Sequence, residues 1–341
     1  MMSFEILWNL ALAVAGTAIV WASSNRLETA SHRIADHHGI PESVNGAVIT
    51  AIASSFPELS SVVIATLAHG DFALGVAAIV GSAIFNILMI PSLSVLAGGP
   101  LRANREVVYK DALFYIVAVV ALLLTFSLAA VYFPVDGDDI RGTMTRGLAL
   151  IPLGLYAVYL YIQYQDSKDE DSSMATDGKT RVGTEWAVLT GCMLLVAVGV
   201  ELLVRSALSM GQLMGTPSFL WGLTIVAAGT SLPDAFISIK AARSGRSITS
   251  LSNVLGSNTF DLLVAVPVGV MLAGATVINF SRAAPMMGCL TVATIVLFVC
   301  MRHDMILRRA EALAMLMLYV IFVSWMVLES VGTTSVLDVA P

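Results

Sequence analysis

Two acidic residues stand directly after prolines inside otherwise apolar stretches of this sequence. Glu58 follows Pro57 in SSFPEL, and Asp234 follows Pro233 in TSLPDA. A carboxylate in the middle of a membrane span costs at least about 2.5 kcal/mol, so a functional role is its default interpretation. A helical proline also releases the carbonyl one turn earlier from the hydrogen-bond ladder, so both motifs predict an interrupted helix. Each motif therefore offers a negative charge beside carbonyl and hydroxyl oxygens, which is the chemistry of cation binding.

A second pair of motifs follows the first at nearly equal spacing. GSAIFNIL begins at Gly81, and GSNTFDLL begins at Gly256. Asn86 comes 28 residues after the acid of the first motif, and Asp261 comes 27 residues after its counterpart. In both copies a serine lies four residues before the amide or carboxylate and shares its helical face. The glycines have no side chain and predict close approach of a neighbouring helix.

The elements that must position these motifs are membrane-spanning helices. The composition is 57% hydrophobic and only 12% charged, against about 25% charged in a soluble domain. Many apolar runs reach the roughly 20 residues that cross a bilayer. The sequence therefore predicts an all-α polytopic membrane protein with ten transmembrane helices, whose first segment is retained rather than cleaved as a signal peptide. We place the spans at 4–24, 43–68, 73–97, 108–133, 147–165, 185–205, 218–240, 249–277, 285–301 and 310–330.

The two motif pairs also predict an internal repeat. They are offset by 176 and 175 residues, which puts five spans between equivalent positions. An odd number of spans inverts the second copy relative to the membrane, as in many secondary transporters. The sequence thus predicts two inverted five-helix repeats, in residues 1–165 and 185–341, joined by a cytoplasmic linker at 166–184. The ion motifs occupy segments 46–96 and 222–272.

The basic residues predict how the chain is oriented. With the N-terminus outside, 14 of the 18 Lys and Arg residues fall in cytoplasmic loops, and only Arg141, Arg146, Arg205 and Arg282 fall in outer loops. This bias matches the positive-inside rule. We therefore expect a multi-pass protein of the cell membrane with both termini outside. Arg205 lies four residues after Glu201, a spacing that predicts a local ion pair.

If the two copies meet about a pseudo-twofold axis, one pocket collects the polar groups of all four motifs. The ligands it offers are oxygens, and no Cys or His lies near the motifs. Hard cations such as Ca²⁺ and Na⁺ prefer oxygen, whereas zinc and copper prefer nitrogen or sulfur. The candidate ligands are Glu58, Asp234, Asp261, Asn86, the hydroxyls of Ser54, Ser55, Ser82, Thr230, Ser231 and Ser257, and carbonyls of the turns that begin at Ala51 and Ala227.

In these motifs the sequence resembles the sodium/calcium exchangers of the calcium/cation antiporter superfamily. The resemblance rests on the paired (G/A)(S/T)SxPE/D and GSxxFN/D motifs of segments 46–96 and 222–272. It implies a transporter of Ca²⁺ and Na⁺ that needs no cofactor, rather than an enzyme. By position, it implies that Glu58 and Asp234 are the principal Ca²⁺ ligands, together with the carbonyls of Ser54 and Thr230. It implies that the Na⁺ ligands are Ser55, Ser82, Ser231, Ser257 and the carbonyls of Ala51 and Ala227. Asn86 and Asp261 would lie at the central position.

Two departures from the family pattern, and one likeness to a branch of the family, affect what the resemblance implies. The first motif reads ASS where GSS or GTS is usual, a small change with little expected effect. Asp234 stands where prokaryotic relatives often have Glu, and its shorter arm predicts a slightly wider or more hydrated Ca²⁺ site. Asp261 in place of Asn is similar to the potassium-dependent branch, although sodium-only prokaryotic members share that residue. Potassium co-transport is therefore left open.

The predicted function is Na⁺/Ca²⁺ antiport by alternating access, in the direction of Ca²⁺ extrusion. The alternative is a Ca²⁺/H⁺ antiporter, but the GNxxE-type signature of that branch is not found here. An intramembrane protease is disfavoured because all five histidines fall in loops or at span ends and GxGD is missing. A passive channel is a further alternative. The expected partners are inorganic cations and the lipid bilayer; with no concentrated basic patch, neither nucleic acid nor a required protein partner is expected.

Overall fold

The computed structural model describes residues 2–38, 51–137, 139–167 and 182–330, and most of these residues are helical. Within the described ranges, nine helices are long and apolar enough to cross a membrane, and a shorter apolar helix covers Phe56–Leu67. The polytopic helical class is thereby confirmed. The start of the predicted second span and most of the predicted linker lie outside the described residues. The count of ten spans in two inverted repeats therefore stays a prediction.

The helices and strands are numbered in chain order. The helices are α1 Met2–His37, α2 Ala51–Ser54, α3 Phe56–Leu67, α4 Phe72–Gly98, α5 Val107–Tyr132, α6 Arg146–Ser167, α7 Val182–Met214, α8 Ser218–Arg243, α9 Ser247–Ala273, α10 Phe280–Arg302 and α11 Arg309–Ser330. Three of them contain a π-helical turn, at Val107–Asp111, Gly222–Val226 and Asp261–Ala265. The strands are β1 Leu101–Arg102, β2 Pro134–Val135, β3 Arg141–Thr145, β4 Ala275–Asn279 and β5 Ile306–Leu307.

The helices that carry the ion motifs lie at the centre of the fold. In the most apolar 18-residue segment of α4, 89% of the residues are buried. The corresponding shares are 61% for α8 and 78% for α9. In α1 and α11, by contrast, only 22% is buried. The outer helices expose large apolar side chains such as Leu7 and Val320, as helices in contact with lipid do. The motif helices are thus enclosed by the others.

Helices α1 and α7 run well past the span ends predicted at residues 24 and 205. Hydropathy falls at those points because charged residues appear, but the helical backbone continues. The two helices cross closely, since a Cβ added at Gly16 would lie 2.6 Å from the carbonyl oxygen of Gly199. Arg33, in the extension of α1, forms an ion pair of 3.0 Å with Glu185 in the first turn of α7. Ser206, in the extension of α7, donates to the backbone carbonyl of Asn9 in α1 at 2.9 Å. Packing and pairing between the two helices explain why the extensions remain ordered beyond the apolar spans.

The first glycines of GSAIFNIL and GSNTFDLL, Gly81 and Gly256, differ in how closely a neighbouring helix approaches them. A Cβ on Gly81 would lie 2.3 Å from the carbonyl oxygen of Leu223, so α4 and α8 touch backbone to backbone there. Gly256 has no neighbour this close among the described residues. Its counterpart contact, 176 residues upstream of Leu223, would fall at residue 47, outside the described ranges. Close approach at Gly81 is confirmed, and at Gly256 it stays a prediction.

Short antiparallel strands tie the connecting loops together. β1, between α4 and α5, pairs with β5, between α10 and α11. β3, between α5 and α6, pairs with both β2 and β4, the latter between α9 and α10. In each case the paired loops are those that the alternation of spans predicts on the same side of the membrane. The strand pairing therefore agrees with the predicted order of the spans.

Candidate cation-binding site

The backbone around SSFPEL is interrupted as the sequence predicts. Helix α2 ends at Ser54, Ser55 forms a turn, and α3 begins at Phe56. Proline is favoured in the first turn of a helix because its missing N–H would have no partner there. Glu58 lies in the same first turn, where the positive end of the helix dipole stabilises a negative charge. The break thus presents this carboxylate at a helix N-terminus.

The backbone around TSLPDA is not interrupted, and the predicted second break is wrong. Helix α8 continues through Pro233, with a π-helical turn at Gly222–Val226 just before the motif. The hydroxyl of Thr230 donates to the carbonyl of Ala227 at 3.2 Å. A hydroxyl that satisfies a carbonyl near a proline lets a membrane helix remain continuous. Asp234 is therefore presented from the interior of a helix.

Hydroxyl groups from the two halves of the chain face each other at the centre of the fold. The Oγ atoms of Ser82 and Ser231 are 2.6 Å apart, and those of Ser54 and Ser257 are 3.2 Å apart. Ser55 donates to the backbone carbonyl of Ser257 at 3.4 Å. All five of these residues are buried. The structure therefore brings α2, α4, α8 and α9 together at their motif residues.

The carboxylate of each first motif is hydrogen-bonded from the opposite half. Glu58 Oε1 accepts from Ser231 at 3.4 Å and from Ser82 at 3.5 Å. Asp234 Oδ2 accepts from Asn86 Nδ2 at 3.4 Å. These contacts are long compared with the 2.7–2.9 Å of strong hydrogen bonds to carboxylates. The two side chains thus lie within one polar centre without being firmly held.

Asp261 is the third buried carboxylate of this centre. It is fully buried at the start of a π-helical turn, a distortion that occurs frequently at functional sites. Its charge acts electrostatically on Glu58, and the charge of Asp234 acts on both. None of the ion pairs formed by the described residues includes any of the three acids. The negative charge of the centre is therefore not balanced by a basic side chain of that part of the protein.

An amide chain that the sequence did not predict completes the centre. Asn86 Nδ2 donates to Asn258 Oδ1 at 2.9 Å. Asn258 Nδ2 contacts the carbonyl oxygen of Ala83 at 3.2 Å and the hydroxyl of Tyr115 at 3.4 Å. Asn258 is fully buried. The alignment of the two motifs could have identified it, since Asn258 stands opposite Ala83 in the two otherwise similar copies.

Several buried oxygens of the centre have no hydrogen-bond partner among the described residues. Buried polar groups are almost always satisfied in folded proteins, so such a concentration calls for an explanation. All of them belong to groups that can bind a hard cation. Among the described residues no three Asp, Glu, His or Cys side chains form a ready-made metal cluster. The unpartnered atoms are Glu58 Oε2, Asn86 Oδ1, Asp234 Oδ1 and both carboxylate oxygens of Asp261.

A carboxylate outside the motifs lies within electrostatic range of Asp234. Glu28 of α1 acts electrostatically on Asp234, and its side chain is only 19% exposed. Its other neighbour is His32, with Nε2 3.8 Å from Glu28 Oε1. The predicted first span ended at residue 24, so Glu28 was assigned to a loop. The length of α1 explains why sequence reasoning missed it.

The predicted ion pair between Glu201 and Arg205 is confirmed. Arg205 Nε lies 2.5 Å from Glu201 Oε1, and His69 Nε2 lies 3.0 Å from the other carboxylate oxygen. All three side chains are partly exposed. The charge of Glu201 is therefore neutralised locally, in contrast to the charges of the buried centre.

Comparison with known proteins identifies the family. The family model described as "Sodium/calcium exchanger protein" matches residues 8–165 and 184–328, which together make up most of the chain. The chain belongs to the sodium/calcium exchanger family. This exchanger is accordingly a membrane ion transporter and not an enzyme.

Relatives of the exchanger cover nearly its whole length. The inner membrane protein YrbG of Escherichia coli is 25% identical over 303 residues, 86% of this chain and 89% of that protein. The sodium/calcium exchanger MaX1 of Methanosarcina acetivorans is 23% identical over 345 residues, 92% of this chain and 97% of that protein. A solved structure of the sodium-calcium exchanger NCX_Mj, soaked with 10 mM Na⁺ and zero Ca²⁺, superposes with a TM-score of 0.63 at 24% identity. That match covers 94% of this chain and 99% of the other, and it shows a shared fold.

Proposed function

We propose that this exchanger moves Na⁺ and Ca²⁺ in opposite directions across the cell membrane through one site. The site is the buried centre where the motifs of both halves meet. The observation that carries the proposal is the set of unpartnered oxygens on Glu58, Asn86, Asp234 and Asp261. The three carboxylates are not balanced by a basic side chain of the described residues, and two serine hydroxyls lie within hydrogen-bond distance of Glu58. Such a set of oxygens suits Ca²⁺, which takes six to eight oxygen ligands.

The division of ligands between the two ions is the one that the resemblance to the exchanger family implies, and the charges of the groups are consistent with it. Glu58 and Asp234 contribute charge from opposite halves, so a divalent cation between them gains most. The serine hydroxyls and the backbone carbonyls are neutral oxygens, which suit Na⁺. In this assignment Ca²⁺ binds Glu58, Asp234 and the carbonyls of Ser54 and Thr230. Na⁺ binds Ser55, Ser82, Ser231, Ser257 and the carbonyls of Ala51 and Ala227. Asn86 and Asp261 lie at the central position.

The same electrostatics makes exchange obligatory. Burying a carboxylate without a partner is strongly unfavourable, so the protein resists reorientation until cations neutralise the centre. Because both ions use the same acids, they compete for the site. If more sodium charge moves one way than calcium charge the other, each net charge contributes about 2.3 kcal/mol per 100 mV of membrane potential. An inward Na⁺ gradient then drives Ca²⁺ out by alternating access.

Counterflow in proteoliposomes tests this function. Vesicles loaded with Na⁺ are diluted into Na⁺-free medium that contains ⁴⁵Ca²⁺, and uptake is compared with vesicles that carry a pH gradient instead. We expect uptake with internal Na⁺ and none with the pH gradient alone. Uptake driven by protons would establish the Ca²⁺/H⁺ alternative, and flux at fixed voltage without a counter-ion would reveal a channel. Adding K⁺ to one arm determines whether K⁺ is co-transported.

A matched pair of variants connects transport to the site. Glu58→Gln keeps the shape of the side chain and removes its charge, and we expect it to fold but to lose counterflow. Glu201→Gln makes the same chemical change in the ion pair with Arg205, outside the centre. We expect that variant to retain counterflow. Equal activity in both variants would contradict the proposed site.

A further inference from the structure

We infer that Asn258 is a positioning residue, which fixes the amide of Asn86 so that its Oδ1 faces the transported cation. This inference rests on the proposed function. The side chain of Asn258 is uncharged, and Asn258 is not one of the proposed cation ligands. Its role follows from which groups in its surroundings can only accept hydrogen bonds.

The orientation of the Asn258 amide is set by a backbone carbonyl. Its Nδ2 lies 3.2 Å from the carbonyl oxygen of Ala83, which can only accept a hydrogen bond. The nitrogen must therefore face the Ala83 carbonyl of α4, and the hydroxyl of Tyr115 in α5 also lies 3.4 Å from it. The oxygen of the Asn258 amide is consequently directed to Asn86.

The orientation of the Asn86 amide follows from the same logic. Asn258 Oδ1 can only accept, so it takes a hydrogen bond from Asn86 Nδ2 at 2.9 Å. The same nitrogen donates to Asp234 Oδ2 at 3.4 Å. Asn86 Oδ1 is thereby turned to the other side, where it is buried without a partner among the described residues. The shorter contact, with Asn258, holds this arrangement when Asp234 turns to a cation.

The difference between the repeats supports this role. An amide has two unlike ends, so a ligand oxygen on Asn86 requires a partner that selects one orientation. Asp261, the counterpart of Asn86, presents oxygen in either orientation and requires no such partner. The chain has Ala83 at the position equivalent to Asn258, beside the copy of the motif that ends in the amide. The orienting asparagine therefore occurs once, in contact with the one amide that needs it.

Equilibrium binding of ⁴⁵Ca²⁺ to the purified full-length exchanger tests the inference. Residues that hydrogen-bond a metal ligand typically alter metal affinity about 10- to 100-fold, and we expect Asn258→Ala to weaken Ca²⁺ binding at least tenfold. Asn258→Leu, which fills the space, is expected to have the same effect and covers the case in which the Ala variant does not fold. The matched control is Asn253→Ala, since Asn253 donates to Ser238 at 3.1 Å on the same helix. Its affinity should change less than about twofold.

A second background separates orientation from structural support. In Asn86→Asp the side chain presents an oxygen in either orientation, so adding Asn258→Ala or Asn258→Leu should then cost no more than about twofold. An equal loss in both backgrounds, or full affinity in Asn258→Leu alone, would overturn the role of Asn258. Failure of the proposed function looks different: the wild-type protein would then show no Na⁺-driven ⁴⁵Ca²⁺ counterflow.

Discussion

The motifs of the two halves of the chain present the same chemistry from different backbones. The first half contains SSFPEL and GSAIFNIL, and the second contains TSLPDA and GSNTFDLL. In the first, the helix breaks at Ser55 and Glu58 lies in the first turn of α3. In the second, α8 runs unbroken through Pro233 and Asp234 lies in its interior. The longer acid thus follows the break, and the shorter acid projects from an intact helix. An internal repeat of sequence therefore does not require an equal repeat of backbone geometry.

The two halves also differ in charge. The first half contributes one carboxylate and the amide of Asn86, whereas the second half contributes two carboxylates. Asn258, which belongs to the second, hydrogen-bonds the amide of the first. Ser231 of the second likewise donates to Glu58 of the first. The halves are therefore complementary, and neither contains a complete site.

The largest effect is expected from the two first-motif acids. Glu58→Gln and Asp234→Asn each remove one charge from a buried centre that already lacks balancing cations. In the proposed Ca²⁺-bound state each acid is one partner of a buried charge pair with the cation. Losing such a partner costs about 3–5 kcal/mol, so we expect each variant to lower Na⁺-driven ⁴⁵Ca²⁺ uptake by at least 100-fold. Similar losses would show that the two halves contribute equally despite their different backbones. Near-normal uptake by either variant would contradict a shared site.

The next effect concerns folding at the glycines of the second motifs. Gly81→Ala places a methyl group against the carbonyl of Leu223, where an added Cβ would lie 2.3 Å away. Overpacking of this kind typically costs about 1–3 kcal/mol, which should lower the thermal unfolding temperature in detergent. Gly256→Ala is the control from the other half. A larger loss in Gly256→Ala would show that the closer crossing lies at that glycine.

Asp261 provides a test of the charge difference between the two halves. Asp261→Asn makes GSNTFDLL match GSAIFNIL at this position and removes one carboxylate. The position that corresponds to the orienting Asn258 is Ala83 in the other copy, which has no amide. We expect Ca²⁺ affinity to fall about tenfold, or about 1.4 kcal/mol, and the charge moved per Ca²⁺ to change. Current measured on supported membranes reports that charge. An unchanged affinity and current would place Asp261 outside the site.

The smallest effect is expected from the serine pair that bridges the halves. Ser82→Ala removes the 2.6 Å contact with Ser231, and a hydrogen bond of this kind contributes about 1 kcal/mol. The concentration of Na⁺ that half-saturates counterflow should rise about fivefold, while the Ca²⁺ requirement changes less. Ser92→Ala is a suitable control, since Ser92 donates to the carbonyl of Leu88 in its own helix. Equal shifts for both ions would argue against a Na⁺ role for Ser82.

Local patterns predicted much of this site. The cost of a carboxylate in lipid pointed to Glu58, Asp234 and Asp261, and the structure brings the three into electrostatic contact. The i, i+4 spacing predicted the ion pair between Glu201 and Arg205. These features depend on residue type and short separations, which a sequence displays directly.

What the sequence did not predict depends on tertiary contacts. Proline predicted a break in both first motifs, but the hydroxyl of Thr230 satisfies the carbonyl of Ala227 and α8 stays continuous. Hydropathy ended α1 too early, because its polar end is held by packing against α7, and Glu28 was missed as a result. The role of Asn258 was hidden because a single asparagine has no significance until its neighbours, Asn86 and the Ala83 carbonyl, are known.

The central claim is that acids from both halves share one cation. Crystals of the exchanger grown with Mn²⁺ in place of Ca²⁺ would test it by anomalous diffraction at the manganese edge. The account predicts one principal peak within coordination distance, roughly 2.1–2.6 Å, of carboxylate oxygens of both Glu58 and Asp234. A peak bound by the acid of only one half, or located away from the buried centre in a transport-competent protein, would contradict it.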